Sequence, residues 1–437
     1  MPNARTLAIP SYRLENRPTR RRLHLDPLRS KPQIDDAKDA AKPAVIDGVC
    51  DPAFREVEEA FADNFRLRDE VGGAVCVRLN GQVVVDLWGG HTDRNRTQRW
   101  KRDTLVNAYS VGKGITAMLI LGEVERGELG LDDKIARLWP EFAAGGKEDV
   151  TLRHLLAHRG GLPGVRRTLA PDAMYDWSTM SDALAEQAPY WEPDTAHGYH
   201  VNTFGFLVGE PLVRKLGGTF SEILQTRLCG PLGADFHIGL PSQEHARVAP
   251  IIEPERPSIA NPREGVQKHM GTGDEETDDM LGAVYFNPVG LSGFGVVNRP
   301  EWRACAIPST NSHGTAYAVA ALYDAFLHRA PKKGGIVGDM LRQEATSTQS
   351  EGIDRVLGKP SRFGLGFQLS QETRPLGANG TGYGHFGYGG TLGFADPESG
   401  LAFGYLMNRP GQRWQTPRTN ALVEAAYSAL GATPDPK

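Results

Sequence analysis

Ser110-Val111-Gly112-Lys113 places a hydroxyl three residues before an amine. At the start of a helix, that spacing puts both groups on one face, about one turn apart. A serine is a weak nucleophile until a base takes its proton. A lysine can be that base when burial or nearby positive charge keeps its amine neutral. A helix N-terminus also favours the negative charge that develops on an attacked carbonyl. This is the one S-x-x-K in the chain, and an apolar run with Ile115, Met118, Leu119 and Ile120 follows it. On residues alone, Ser110 is either a nucleophile or an ordinary helix-start serine.

Rival chemistries lack their residues. Gly290-Leu291-Ser292-Gly293-Phe294 misses the G-x-S-x-G elbow by one position, so an α/β-hydrolase has no centre here. No HExxH occurs. His154 and His158 lie four apart between Arg153 and Arg159 without a third ligand nearby, which reads as structural histidines and no metal. Cys50, Cys76, Cys229 and Cys305 are far apart with no CxxC, so the reading is reduced, mostly buried thiols in a cytoplasmic protein.

The elements that must position Ser110 follow from pattern. The chain has 437 residues, 40% hydrophobic, 51 Gly and 30 Pro, enough for two or three structural units with much loop surface. A net charge of −4 gives no reason to expect nucleic acid as a partner, and no apolar run reaches the length of a membrane span. Residues 1–45 read as a disordered basic tail. Thr19-Arg20-Arg21-Arg22-Leu23 looks like a twin-arginine signal, but Asp26-Pro27-Leu28-Arg29 follows where an apolar stretch is required.

Asp51-Pro52 predicts a helix start, with Phe54, Val57, Phe61 and Phe65 on one face. Asn80-Gly81 predicts a hairpin joining strands Ala74–Leu79 and Gln82–Trp88. Helices are expected over Ser110–Arg126, Asp132–Phe142, Leu152–His158 and Thr203–Leu216, and a long polar surface loop over 250–280. Strands return at Phe363–Leu369, Thr391–Ala395 and Leu401–Met407, before a last helix, Thr419–Leu430. The implied α+β organisation is a sheet domain from 46–109 and 300–437, with a mostly helical domain and loop insertion over 110–299.

Four ordered motifs then carry a family resemblance. Ala108-Tyr109-Ser110-Val111-Gly112-Lys113-Gly114 resembles the nucleophile segment of the serine β-lactamase/penicillin-binding-protein superfamily, in its class C-like esterase branch, the family VIII carboxylesterases. The run from Thr151 to Pro163 is similar to that branch's signature helix and turn. Gly198-Tyr199-His200, after Trp191-Glu192-Pro193, looks like its tyrosine segment. Gly384-His385-Phe386-Gly387-Tyr388-Gly389-Gly390 stands where β-lactamases have K-T-G. The resemblance spans about residues 46–435.

It implies a β-lactamase-like fold, an antiparallel sheet flanked by helices with a mostly helical second domain. It also implies a serine carboxylesterase that hydrolyses short-chain esters through an acyl-enzyme, with no cofactor. Ser110 would be the nucleophile, Lys113 its base and Tyr199 the proton shuttle. The backbone N–H groups of Ser110 and Tyr388 would form the oxyanion hole, with His385, Gly387 and Asn202 binding substrate. Aligning on Asn202 instead would put His200 in the tyrosine's place; the phenol of Tyr199 is preferred for its chemistry. His385 replaces the lysine that attracts a penicillin carboxylate, which favours neutral esters. β-Lactamase, D-amino peptidase or acyltransferase activity on the same residues, or a non-catalytic scaffold, are the alternatives. The expected partner is a small ester, with no nucleic acid or membrane; no residue pattern fixes an oligomeric state.

Overall fold

The computed structural model describes residues 44–253, 259–328, 335–412 and 414–431; the basic tail falls almost wholly outside them. Its centre is a nine-stranded antiparallel sheet in the order β1-β3-β2-β12-β11-β10-β9-β8-β7. The strands are β1 Ile46–Cys50, β2 Gly72–Leu79, β3 Gln82–Gly90, β7 Ser350–Ile353, β8 Pro360–Phe363, β9 Gln368–Leu369, β10 Tyr383–Phe386, β11 Leu392–Asp396 and β12 Leu401–Met407. Both ends of the chain meet at the β2–β12 pairing, where Leu401 opposes Leu79 and Met407 opposes Gly73. One sheet built from both chain ends is what the strand pattern implies.

Every residue of β12 is buried, because helices cover both faces. Leu401, Phe403, Tyr405 and Met407 point into a core shared with the helices Arg55–Leu67 and Pro417–Ala429. Ala402 and Leu406 point into the other core, with Val319 and Leu322 of the helix Ala316–His328. The alternation of large and small residues has a geometric cause. A Cβ on Gly404 would lie 2.4 Å from the Ala316 carbonyl, so this helix packs directly on the strand backbone. Phe403→Ala would remove a fully buried ring at a cost of about 3–5 kcal/mol.

A second, three-stranded sheet was not anticipated. It joins β4 Val106–Asn107, β6 Ser312–Gly314 and β5 Phe236–Ile238 in the order β4-β6-β5. It ties the strand leading to Ser110 to residues some two hundred positions later. Three element readings are corrected. Asp132–Phe142 holds two short 3₁₀ turns, Ile135–Arg137 and Pro140–Ala143. The polar stretch contains two helices, Pro262–His269 and Glu275–Phe286; Asn261 caps the first and Asp274 the second. Phe363–Leu369 is a hairpin turn between β8 and β9, because Gly366 adopts φ 80°.

Candidate active site

The turn before Ser110 is built by backbone strain held in place. Ala108 N–H donates to the Ser312 carbonyl at 2.7 Å, continuing the β4–β6 pairing. Tyr109 then takes φ 50°, a left-handed conformation that costs a bulky residue on the order of 1–3 kcal/mol. The Ser312 hydroxyl, 3.1 Å from the Tyr109 carbonyl, helps to hold it. The chain thereby turns sharply into the helix Val111–Glu125, with Ser110 at its N-cap. That helix is buried from Val111 to Glu123, so whatever it carries on any face is taken out of water.

Lys113 is the consequence. Its side chain is fully buried, and no carboxylate among the described residues pairs with it. Burial alone pushes its amine well below the usual lysine range, which favours the neutral, basic form. Its Nζ lies 2.9 Å from Ser110 Oγ and donates to the Ser309 carbonyl at 2.8 Å. A neutral amine anchored by one N–H keeps its lone pair for the Ser110 proton.

Tyr199 lies in an irregular segment, yet its ring is tightly boxed. Phe363 and His385 stack on it at 5.8 Å, and His158 and Trp414 meet it edge-on at 5.3 and 5.7 Å. Lys113 Nζ sits 4.9 Å from the ring centroid. Burial pushes its phenol far above the ordinary value, with the adjacent Ser110 hydroxyl pulling the other way. The buried hydroxyl has no hydrogen-bond partner of normal geometry. It is therefore a protonated group next to the nucleophile, with a bond to spare.

His200 is engaged elsewhere. Its Nε2 accepts from Leu162 N–H at 3.0 Å, and its Nδ1 lies 2.6 Å from the Gly198 carbonyl. Both nitrogens are satisfied, and burial pushes the ring down to about 4, so it is neutral. His385 is also fully buried and neutral: burial first, then the neighbouring Lys113, push it down to about 3.

Gly387 brings the end of β10 against the nucleophile turn. A Cβ there would lie 2.0 Å from Thr391 Oγ1, 2.6 Å from the Ala108 carbonyl and 3.4 Å from Ser110 N. The Thr391 hydroxyl fastens the same junction by donating to the Ala108 carbonyl at 3.1 Å. Tyr388, next in the chain, packs edge-on against Tyr109 and Phe294. Ser110, Lys113, Tyr199, His385, Gly387 and Tyr388 thus gather at one place.

Asn202 sits behind it. Its amide donates to the Val284 carbonyl at 2.8 Å and to Ser292 Oγ at 2.9 Å, and its oxygen accepts from Thr310. Through Thr310 it braces the Ser309 carbonyl that holds Lys113. Ser309, Trp414 and Asp354, which accepts from Tyr199 N–H, escaped the sequence reading. A cavity of about 1030 Å³ near Arg166, Tyr190 and Met280 contains none of these residues; chemistry, not volume, locates the site.

A family model described as Beta-lactamase matches residues 58–427. The chain is 32% identical over 370 residues to the esterase/beta-lactamase LipL of Mycobacterium tuberculosis, covering 83% of this chain and 82% of that one. A crystal structure of a family VIII carboxylesterase superposes with a TM-score of 0.78 at 33% identity, over 88% of this chain and 100% of that one. A penicillin-binding-protein homologue from Caulobacter crescentus superposes with the same TM-score, 0.78, at 35% identity and the same coverage.

Proposed function

This chain belongs to the Beta-lactamase family, and on that footing we propose that Ser110, Lys113 and Tyr199 carry out a two-step ester hydrolysis. The protein is a serine carboxylesterase of the branch that includes its esterase relatives. One observation carries the residue assignment: an amine buried without a carboxylate lies 2.9 Å from the Ser110 hydroxyl.

Ser110 Oγ attacks the ester carbonyl while its proton passes to Lys113 Nζ. The oxyanion rests on the Ser110 N–H at the helix start and the Tyr388 N–H just beyond the end of β10. Tyr199 rests as the phenol, since burial disfavours its anion. It hands its proton to the departing alkoxide and takes one from the Lys113 ammonium. The acyl-enzyme forms as the C–O bond to the alcohol breaks. Water then attacks the acyl carbon, the relay runs in reverse, and Ser110 regains its proton.

The substrate is a short, neutral ester. Neutral His385 supplies no charge for a carboxylate at the strand end. Aromatic Tyr109, Tyr388 and Phe294 pack edge-on beside the nucleophile turn. Asn202 acts from behind by fixing the Ser309 carbonyl. The test is labelling by a fluorophosphonate: Ser110 is modified in the native protein, Ser110→Ala is not, and Lys113→Met is modified far more slowly. Equal labelling of all three proteins would overturn the assignment.

A further inference from the structure

We infer that Asp354 is a positioning residue for Tyr199, fixing through the main chain where the phenol stands relative to Ser110 and Lys113. The inference rests on Tyr199 being the proton relay.

Asp354 opens the turn between β7 and β8 and is fully buried. No lysine or arginine among the described residues lies within ion-pair distance of it. A buried carboxylate without a cation is costly unless hydrogen bonds replace its water. Here they do. Oδ1 accepts from Val356 N and Leu357 N at 2.9 Å, bonds that shape the local turn. Oδ2 accepts from the Ser361 hydroxyl at 2.9 Å. Tyr199 N–H lies 3.1 Å from both oxygens. The turn alone would need only Oδ1; Oδ2 also ties Ser361 of β8, and the bidentate contact serves the tyrosine.

The same loop grips the tyrosine segment at two further points. His197 Nε2 lies 2.8 Å from Ser361 Oγ, and Arg355 N–H donates to the His197 carbonyl at 3.1 Å. Residues 197–199 have no ladder or helix of their own, so these bonds, together with the Gly198 N–H donated to the His158 carbonyl at 3.1 Å, set their position. The ring box restrains the tilt of Tyr199, and its hydroxyl adds no hydrogen bond. A shift of the Tyr199 backbone would carry the hydroxyl away from Ser110, and relays of this kind fail with small misplacements. The titratable groups that feel the Asp354 charge are Tyr199, Tyr285, His197 and Arg374.

A double-mutant cycle on the full chain tests this with p-nitrophenyl butyrate. Asp354→Ala should lower kcat by about 50-fold, with KM changed by less than about threefold. In a Tyr199→Phe background it should lower kcat by less than about threefold, because a residue acting only through Tyr199 has nothing left to position. Asp354→Asn should recover most of the activity, since its oxygen still accepts the N–H groups and its amide can donate to Ser361. An equal loss in both backgrounds would mean that Asp354 merely supports the fold, and overturns the inference. If Tyr199→Phe alone leaves kcat intact, the relay reading fails, and this inference with it. If Asp354→Ala does not fold, the cycle is run with Ser361→Ala, which cuts one arm. About a fivefold loss confined to the Tyr199 background supports the inference; a loss in both, or in neither, overturns it.

Discussion

Lys113 Nζ stands 2.9 Å from Ser110 Oγ on a helix buried on every side, with the Ser309 carbonyl as its second contact. Activity therefore depends on keeping an amine neutral, and the sign of its pH dependence follows. The folded pKa of Lys113 is depressed. As pH falls through that lowered value the base is protonated, so kcat/KM should show an acid limb. Between it and the unfolded value of roughly 10.4, the unfolded chain holds one more proton, so stability should rise with pH. Lys113→Met should remove that rise, raise the melting temperature near neutral pH by relieving the cost of the buried amine, and lower kcat by about 10³-fold or more. A Lys113→Met protein with a tenth of native activity would contradict the assignment.

Tyr199→Phe should lower kcat by about 10²-fold or more without unfolding the protein, since the lost hydroxyl has no bonded partner. His200→Ala should do the opposite. It strips partners from buried Leu162 N–H and the Gly198 carbonyl, costing about 1–3 kcal/mol of stability, with a smaller effect on kcat. Thermal melts alongside steady-state kinetics check both; a reversed ranking would put the relay on His200.

Much of this site is legible in the sequence because its chemistry is local. The S-x-x-K spacing is one helical turn, while the Gly384–Gly390 run is placed by its resemblance to the family's third motif; the close backbone approach at Gly387 appears only in the structure. What was not legible depends on residues distant in sequence. Ser309 meets Lys113 across 196 positions and Asp354 meets Tyr199 across 155, with no spacing rule linking them. The same holds for the fold. Asn80-Gly81 gave a correct hairpin because both residues take the positive φ its turn needs, 49° and 84°. The strands β4, β5 and β6 are two or three residues long, too short for any periodicity to show. The missed helices after Asn261 and Asp274 had readable caps, outweighed by the polar composition around them.

Gly387→Ala should be more damaging than a methyl group suggests. The added Cβ would collide with Thr391 Oγ1 and the Ala108 carbonyl, forcing the end of β10 off the nucleophile turn. The expected loss is about 10²-fold or more in kcat, the scale seen when one oxyanion donor is misplaced. Near-native kcat in this variant would show that the β10 end does not line the reaction centre.

His385 stays neutral across the working range, so native kcat/KM should favour p-nitrophenyl butyrate over nitrocefin by a wide margin. The ratio should not change between pH 5 and 8 through titration of this ring. His385→Lys should narrow the gap little, because burial at this position disfavours a charged amine as it does at Lys113, and misfit should lower both activities. Native nitrocefin turnover equal to that of the ester would remove His385 from any role in selectivity.

The most direct measurement is the intact mass of the protein after acid quench during turnover of p-nitrophenyl butyrate, followed by peptide mapping. The mechanism predicts a butyryl adduct on Ser110, absent from a folded Ser110→Ala protein that has lost at least about 10³-fold in kcat. A butyryl group on another residue, or a Ser110→Ala protein that keeps a tenth of native activity, would contradict it.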